Sequence, residues 1–467
     1  MTLSANRKLI REIEDALSAK VPIHLGVNKE YQLVRLVYEI CKNKNLTSKE
    51  AFDLINIDNL VDQGKGKLFV RIKEALFCVR YPSLLSGDDV RLMPFIKSHV
   101  DRECTSWDLT IKPKRIFLQK EAKGYKWTSD FLANFVRTEI IEIKDLKEGF
   151  NHLAEKDPIT LYNERRENVF IVKNKTAFIK KCPCTKNVKK CNYWILNIGF
   201  GCPMDCSYCY LEMYSNSPGL IFTANIEDYY QEIEELNNKL TGRIRIGTGE
   251  FTDSLYLDKF TKYSSYLVPF FKDKDKLILE LKTKTVNIEN VLKEPSHKNC
   301  VVSWSMNTRS MASKYERGGA PIEDRINAAR QVAKKGFKIG FHFDPLIFYE
   351  AWRKEYQELV EEIFSFDEIK ENVEWISLGA LRYTPGLKEI AETRFADNDL
   401  YYAGEFFTGA DGKLRYPEKL RIEMYNNMID RIRKFNKTCW IYLCMEPEEV
   451  WKETLLSKSD HQRCFGL

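Results

Sequence analysis

Gly201-Cys202-Pro203-Met204-Asp205-Cys206-Ser207-Tyr208-Cys209-Tyr210 places three cysteines on one short loop in a C-x3-C-x2-C array. Three thiolates spaced in this way can each ligate one iron of a cubane cluster and leave the fourth iron without a protein ligand, whereas electron-carrying clusters take four cysteines. An open iron is a place for a substrate or cofactor to bind, by the logic of open catalytic metal sites. Zinc would want a fourth ligand close by, and no histidine lies near this loop. Cys202, Cys206 and Cys209 are therefore read as ligands of a [4Fe-4S] cluster, with zinc or three unrelated buried thiols as the alternative.

Outward from the loop, apolar strand patterns alternate with helical ones. Residues 193–198 form a strand pattern leading into the cysteines, and further strands are expected at 243–246, 277–283, 301–306, 338–343 and 373–378. Between them, 226–240, 261–271, 288–292 and 321–335 carry helical spacing, the last ended by Gly336. This alternation predicts an α/β fold, a partial (β/α)6 barrel with its chemistry at the C-terminal ends of the strands. The barrel is expected over 191–467, its C-terminal extension including a strand near 439–444 and a closing helix at 447–456.

Upstream, residues 1–110 read as a mostly helical N-terminal region. Leu9, Ile13 and Leu17 recur at helical spacing, as do Leu33, Leu36, Val37 and Ile40, and Thr47 to Glu50 has the form of a capping box. Residues 111–190 form a mixed accessory segment with short strand patterns at 115–118 and 169–172. It contains Cys182, Cys184 and Cys191, which suit a second metal, a redox-active thiol pair, or buried thiols packed near the cluster.

The chain has 467 residues, 44% hydrophobic and 30% charged, enough for a large core and outside the disordered class. No apolar run approaches the roughly 18 residues of a membrane span, and the N-terminus lacks the apolar core of a signal peptide. Thirteen cysteines, an odd number without an export signal, point to a reducing cytoplasm instead of a disulfide framework. The net charge of +6 is concentrated in the first third of the chain. Its densest part, Lys112 to Lys126 interleaved with Phe117, Tyr125 and Trp127, suits either a nucleic-acid backbone with stacked bases or a solvated surface.

One strand beyond the cysteine loop, Gly247-Thr248-Gly249-Glu250 combines glycines that admit close approach with a carboxylate that can accept hydrogen bonds from an ammonium group. Further on, His342 and Asp344 sit at a strand end, as acid–base groups or as hydrogen-bonded structural ones.

These residues together resemble the radical S-adenosylmethionine (SAM) enzymes and, among them, the spore photoproduct lyase family. The matches are the cysteine array with Ser207-Tyr208 and Tyr210-Leu211, then Thr252-Asp253, Thr283-Lys284, Ser305-Met306-Asn307, Pro321 to Ile326, Ala333 to Gly336, Arg382-Tyr383-Thr384 and Cys444 to Pro447. They run over roughly residues 180–460.

The resemblance implies that a reduced cluster cleaves SAM to a 5′-deoxyadenosyl radical, which abstracts hydrogen from a thymine dimer in DNA and splits it. It implies contacts to SAM from Gly249, Glu250, Thr252, Lys284, Ser305 and Asn307, with Tyr208 and Tyr210 relaying the radical or flanking SAM. Arg382 and Tyr383 would stand on the substrate side. DNA is the implied partner, an external donor supplies electrons, and no membrane is involved. One departure matters: Glu250 stands where the lyases carry the cysteine that returns a hydrogen atom to product. Radical modification of RNA, a peptide or a small molecule is therefore the second expectation. A nucleic-acid-binding protein with structural metal is the non-enzymatic one.

Overall fold

The computed structural model describes residues 3–63, 67–83, 111–214, 217–395 and 397–463. The chain divides into two compact units. One comprises Met1–Cys104 with Arg382–Pro417, and the other Thr105–Leu381 with Glu418–Leu467.

In the first unit the helices Leu3–Lys20, Val27–Lys44 and Leu68–Arg80 enclose a core that includes Ile13, Leu17, Leu36, Val37, Ile40 and Ile72. Thr47 caps Ser48–Asp53 with the reciprocal bonds of a capping box, its hydroxyl accepting from the Glu50 amide. The helical expectation for residues 84–110 lies outside the described residues. The boundary drawn at 191 is not the division found: residues 382–417, expected with the barrel, cluster with the N-terminal helices. They add a small antiparallel sheet of Arg382–Tyr383, Leu414–Arg415 and Phe407–Thr408.

The second unit is built on an eight-stranded sheet curled into a half-barrel. Its strands lie side by side in chain order: Ile179–Lys181, Tyr193–Leu196, Ile244–Gly247, Leu277–Thr283, Cys300–Ser305, Lys338–Leu346, Val373–Ala380 and Trp440–Leu443. All neighbours are parallel except the first pair, an antiparallel hairpin. Helices such as Tyr229–Lys239, Tyr263–Phe271, Ile322–Lys334 and Trp352–Ile363 form the crossovers. Trp440–Leu443 adds a parallel strand beyond the six of the expected barrel.

The barrel's floor is polar yet closed. Arg245, fully buried, lies 4.5–5.4 Å from the rings of Tyr442, Trp375, Trp440 and Tyr193 and donates to the Tyr442 hydroxyl at 2.9 Å. Glu280 accepts from Ser303 at 2.6 Å and Trp375 at 2.9 Å, and its Oε1 is 2.7 Å from His342 Nε2. Burial pushes His342 below its ordinary value, so it is neutral at pH 7, and Arg245 at 3.8 Å balances the Glu280 charge. His342 is thus a structural group of the floor.

A second sheet lies in the same unit, ordered Glu139–Ile143, Arg115–Gln119, Asn168–Val172, Leu220–Thr223, Gly199–Phe200. It joins the accessory segment to the strands on either side of the cysteine loop. The strand Leu220–Thr223 was not expected from the sequence.

Candidate active site

Backbone conformation sets the cysteine loop before any side chain acts. Gly201 has φ 101° and Asp205 φ 52°, both left-handed, and these turns bring Cys202, Cys206 and Cys209 within electrostatic reach of one another. The Asp205 carboxylate is held by Arg165, by Arg166 at 2.8 Å and by the Tyr162 hydroxyl at 3.0 Å. Arg165 also stacks on the Tyr162 ring at 3.8 Å. The accessory segment therefore clamps the loop, a role that spacing between cysteines does not reveal.

On its other side the loop is tied to residues 315–318. Ser207 N donates to Tyr315 O at 3.0 Å and Gly318 N to Met204 O at 2.7 Å. A Cβ on Gly318 would stand 2.5 Å from Met204 Cα, so this position requires glycine.

Behind Cys206 lies a buried charge cluster. Lys284 Nζ is 3.4 Å from Cys206 Sγ, 2.7 Å from the Tyr208 hydroxyl and 3.2 Å from Glu316. Tyr208 donates to Glu316, and Arg325 pairs with the other Glu316 oxygen at 2.6 Å. Burial works against the Glu316 charge, but Arg325 and Lys284 outweigh it and hold the carboxyl down at about 2. Burial, with help from nearby carboxylates and against the pull of Lys284, pushes the Cys206 thiol up to about 12 and Cys209 up to about 11, so iron ligation would release protons.

The donor set fits a cubane. A cubane takes one thiolate on each of three irons, so its ligands need not converge on one point. Among the described residues no three His, Cys, Asp or Glu groups are placed around a single ion.

At the end of Ile244–Gly247 the chain folds back over the next strand. Ser254 N donates to Lys282 O at 3.1 Å, Lys282 N to Ser254 Oγ at 3.0 Å, and Thr248 Oγ1 to Ser254 Oγ at 2.8 Å. Asp253 accepts from the amides of Leu255, Tyr256 and Lys284 and from the Thr283 hydroxyl at 2.7–2.9 Å. Gly249 fits tightly here, since an added Cβ would meet Lys282 Cβ and O at 3.1 Å. Glu250 is presented beside the cysteine loop, where the Tyr210 hydroxyl donates to its Oε1 at 2.9 Å. Thr252 and Ser305 are half-buried, and the Ser305 carbonyl accepts from Arg325 at 2.8 Å.

Two expected SAM contacts are occupied otherwise. Asn307 is fully buried, its Oδ1 accepting from Tyr356 at 2.7 Å and the Thr308 amide at 3.0 Å, and its Nδ2 donating to Pro345 O at 3.3 Å. Lys284 is engaged at Cys206, as described. Lys282, which the sequence reading passed over, is half-buried, and its ammonium makes no hydrogen bond or ion pair with a described residue. Burial works against its charge, but Glu250, Glu280 and Asp344 outweigh it and raise its pKa above the ordinary lysine value.

Tyr208 is buried as a brace behind Cys206, whereas Tyr210 is 38% exposed beside Glu250. Arg382 and Tyr383 belong to the other compact unit. There the Tyr383 ring is buried against Tyr401 and Phe406, with centroids at 4.6 and 5.0 Å.

Comparison with known proteins bears on this arrangement. The family model described as spore photoproduct lyase matches residues 111–433. A spore photoproduct lyase of Clostridium acetobutylicum is 25% identical over 251 residues, 53% of this chain and 73% of the relative. One from a Geobacillus species is 22% identical over 346 residues, 69% of this chain and 96% of the relative. A solved spore photoproduct lyase complexed with dinucleoside spore photoproduct superposes with a TM-score of 0.62 at 20% identity, covering 72% of this chain and 99% of that one. A mutant of such a lyase, solved with bound AdoMet and dinucleoside spore photoproduct, gives 0.61 at 20% identity over 71% of this chain and 99% of that one. At such identities the superpositions show the fold.

Proposed function

The chain belongs to the spore photoproduct lyase family, and on that premise we propose that it is a radical SAM enzyme that repairs a thymine-dimer lesion in DNA. The observation that carries this reading is the cysteine loop held next to Glu250 at the C-terminal ends of the barrel strands. With a [4Fe-4S] cluster and SAM bound, the site would supply a 5′-deoxyadenosyl radical.

The chain's own residues prepare the place for it. Cys202, Cys206 and Cys209 would each ligate one iron of the cluster. With SAM bound, Glu250 would accept from its methionyl ammonium, with Gly249 allowing close approach. Thr252 and Ser305 line the same mouth, and the Lys282 ammonium is available to a carboxylate or hydroxyl of the cofactor. Tyr210, hydrogen-bonded to Glu250, would relay a hydrogen atom between cofactor and substrate. Lys284 and Tyr208, engaged with one another beside Cys206, would position that thiol instead of meeting SAM. The enzyme draws on an external one-electron donor in a reducing cytoplasm. No described helix is long and apolar enough to cross a membrane.

The test is anaerobic reconstitution followed by incubation with SAM, reductant and dinucleoside spore photoproduct. Brown protein that releases 5′-deoxyadenosine and the restored thymine dinucleotide is expected. SAM cleavage with the lesion untouched would remove the lyase assignment and favour another radical substrate, the outcome for which Glu250 in place of the donor thiol speaks. A colourless protein that leaves SAM intact would end both readings.

A further inference from the structure

Splitting a dimer by hydrogen abstraction leaves a carbon radical on the product, which must gain a hydrogen atom before release. The Glu250 carboxylate has none to give. Thiols are the side chains best suited to this step, and no described cysteine is joined in a disulfide. Most are placed badly for it. Cys300 is fully buried and opens its strand at the N-terminal end, Cys439 is buried just ahead of Trp440–Leu443, and Cys191 faces Arg245 in the barrel floor.

Cys182 and Cys184 are placed differently. They are half-buried, and Cys184 donates to Cys182 across 3.6 Å. Cys182 leaves the edge hairpin with its amide donating to Tyr193 O at 2.9 Å. The loop then crosses to the other edge of the half-barrel. Lys189 N donates to Glu446 O at 3.0 Å, and its ammonium lies over the Trp451 ring at 4.7 Å and 3.2 Å from His461 Nδ1. The thiol pair thus opens a loop that runs from the first strand to the residue Glu446 just beyond the last. Cys182 is in electrostatic reach of Glu250 and Cys444, and Tyr210 is in reach of Cys182.

We propose that Cys182, backed by Cys184, gives the hydrogen atom to the product radical, a role that rests on the lyase reading above. The Cys182 S–H bond breaks, a C–H bond forms on the thymine, and a thiyl radical remains on Cys182. Cys184 can pass its own hydrogen to that thiyl, sharing the radical across the pair. One electron from the donor that reduces the cluster, with one solvent proton, restores the thiol. The neighbouring Cys184 thiol, burial and the charge of Glu250 push the Cys182 pKa up, so at neutral pH it keeps the hydrogen that the step requires.

The experiment is turnover of dinucleoside spore photoproduct by the reconstituted full chain in D2O, where thiols carry deuterium. The wild type should give thymine dinucleotide with one deuterium. Cys182→Ser/Cys184→Ser should keep its iron–sulfur absorbance and 5′-deoxyadenosine formation, while deuterated intact product falls at least tenfold. Deuterated product at the wild-type rate from the double variant overturns the proposal. So does a loss found only on Cys444→Ser. A wild type that makes 5′-deoxyadenosine yet leaves the photoproduct whole overturns the lyase reading instead, and the proposal with it.

Discussion

The ammonium of Lys284 lies 3.4 Å from the sulfur of Cys206, placing a buried positive charge directly behind one thiol of the cysteine loop. Lys284 is fixed there by Tyr208 and Glu316, and its own amide donates to Asp253 at 2.9 Å. Hydrogen bonds to cluster sulfurs and nearby charge set the potentials of iron–sulfur centres. Lys284→Met should therefore make the cluster harder to reduce. A charge-assisted bond of about 1.5–3 kcal/mol corresponds to roughly 60–130 mV on a one-electron couple. Redox titration followed by electron paramagnetic resonance would measure the shift, and an unchanged midpoint would deny Lys284 this influence.

Lys282 and Glu250 should report on SAM itself. Lys282→Met and Glu250→Ala each remove one charged partner from the barrel mouth, and each is expected to weaken SAM binding by about 1.5–3 kcal/mol, or roughly 10- to 150-fold. Equilibrium dialysis of the reconstituted protein is the measurement. Unchanged affinity in Glu250→Ala would leave the Tyr210 bond as the sole use of that carboxylate.

Asn307 should behave in the opposite way. Its amide is spent on Tyr356, Thr308 and Pro345, so Asn307→Ala strands buried partners at a cost of about 1–3 kcal/mol. A lowered melting temperature with SAM affinity per folded molecule retained is expected. A selective loss of SAM binding would show that Asn307 meets the cofactor after all.

Gly318→Ala tests the seat of the cysteine loop. The new Cβ would stand 2.5 Å from Met204 Cα, and overpacking of this kind costs about 1–3 kcal/mol. Iron bound per chain after reconstitution should fall. Full iron loading would mean that residues 203–205 can give way without moving the cysteines.

Acid stability of the helical unit should depend on Glu39. Burial raises the pKa of this carboxyl, but Lys388, Arg35 and Arg80 outweigh it and hold it well below the usual carboxylate range. Its contribution is therefore complete above the unfolded value of about 4.3 and fades as pH falls toward the folded value. Glu39→Gln should lose about 3–5 kcal/mol near pH 7, because three cations lose their partner. It should also show a flatter loss of stability below about pH 4. Urea unfolding at a series of pH values would show both effects, and parallel acid limbs would contradict the assignment.

The cysteine spacing and the strand–helix alternation were legible because each is a local pattern. The strand Leu220–Thr223 was not, being short and set between the cysteine loop and a helix, with only its partners Asn168–Val172 and Gly199–Phe200 to identify it. The choice between Lys282 and Lys284 was hidden for a related reason. Residues two apart on a strand share a face, so alternation alone treats both lysines alike. The strand ends at Thr283, and Asp253 captures the Lys284 amide as the chain turns, sending that side chain to Cys206 and leaving Lys282 in the mouth.

The sequence by itself determined the chemistry on offer: three thiols on one loop, a carboxylate one strand away, and the parallel strands that bring them to the same end of a barrel. Those features depend on residue type and short-range periodicity, which a linear chain displays. Tertiary structure alone decided which groups are already engaged. It assigned Tyr208, Lys284 and Asn307 to internal partners and left the Lys282 ammonium without a hydrogen bond or ion pair among the described residues. Availability depends on which distant residues satisfy a buried charge or hydrogen bond, and only the folded chain brings those residues together.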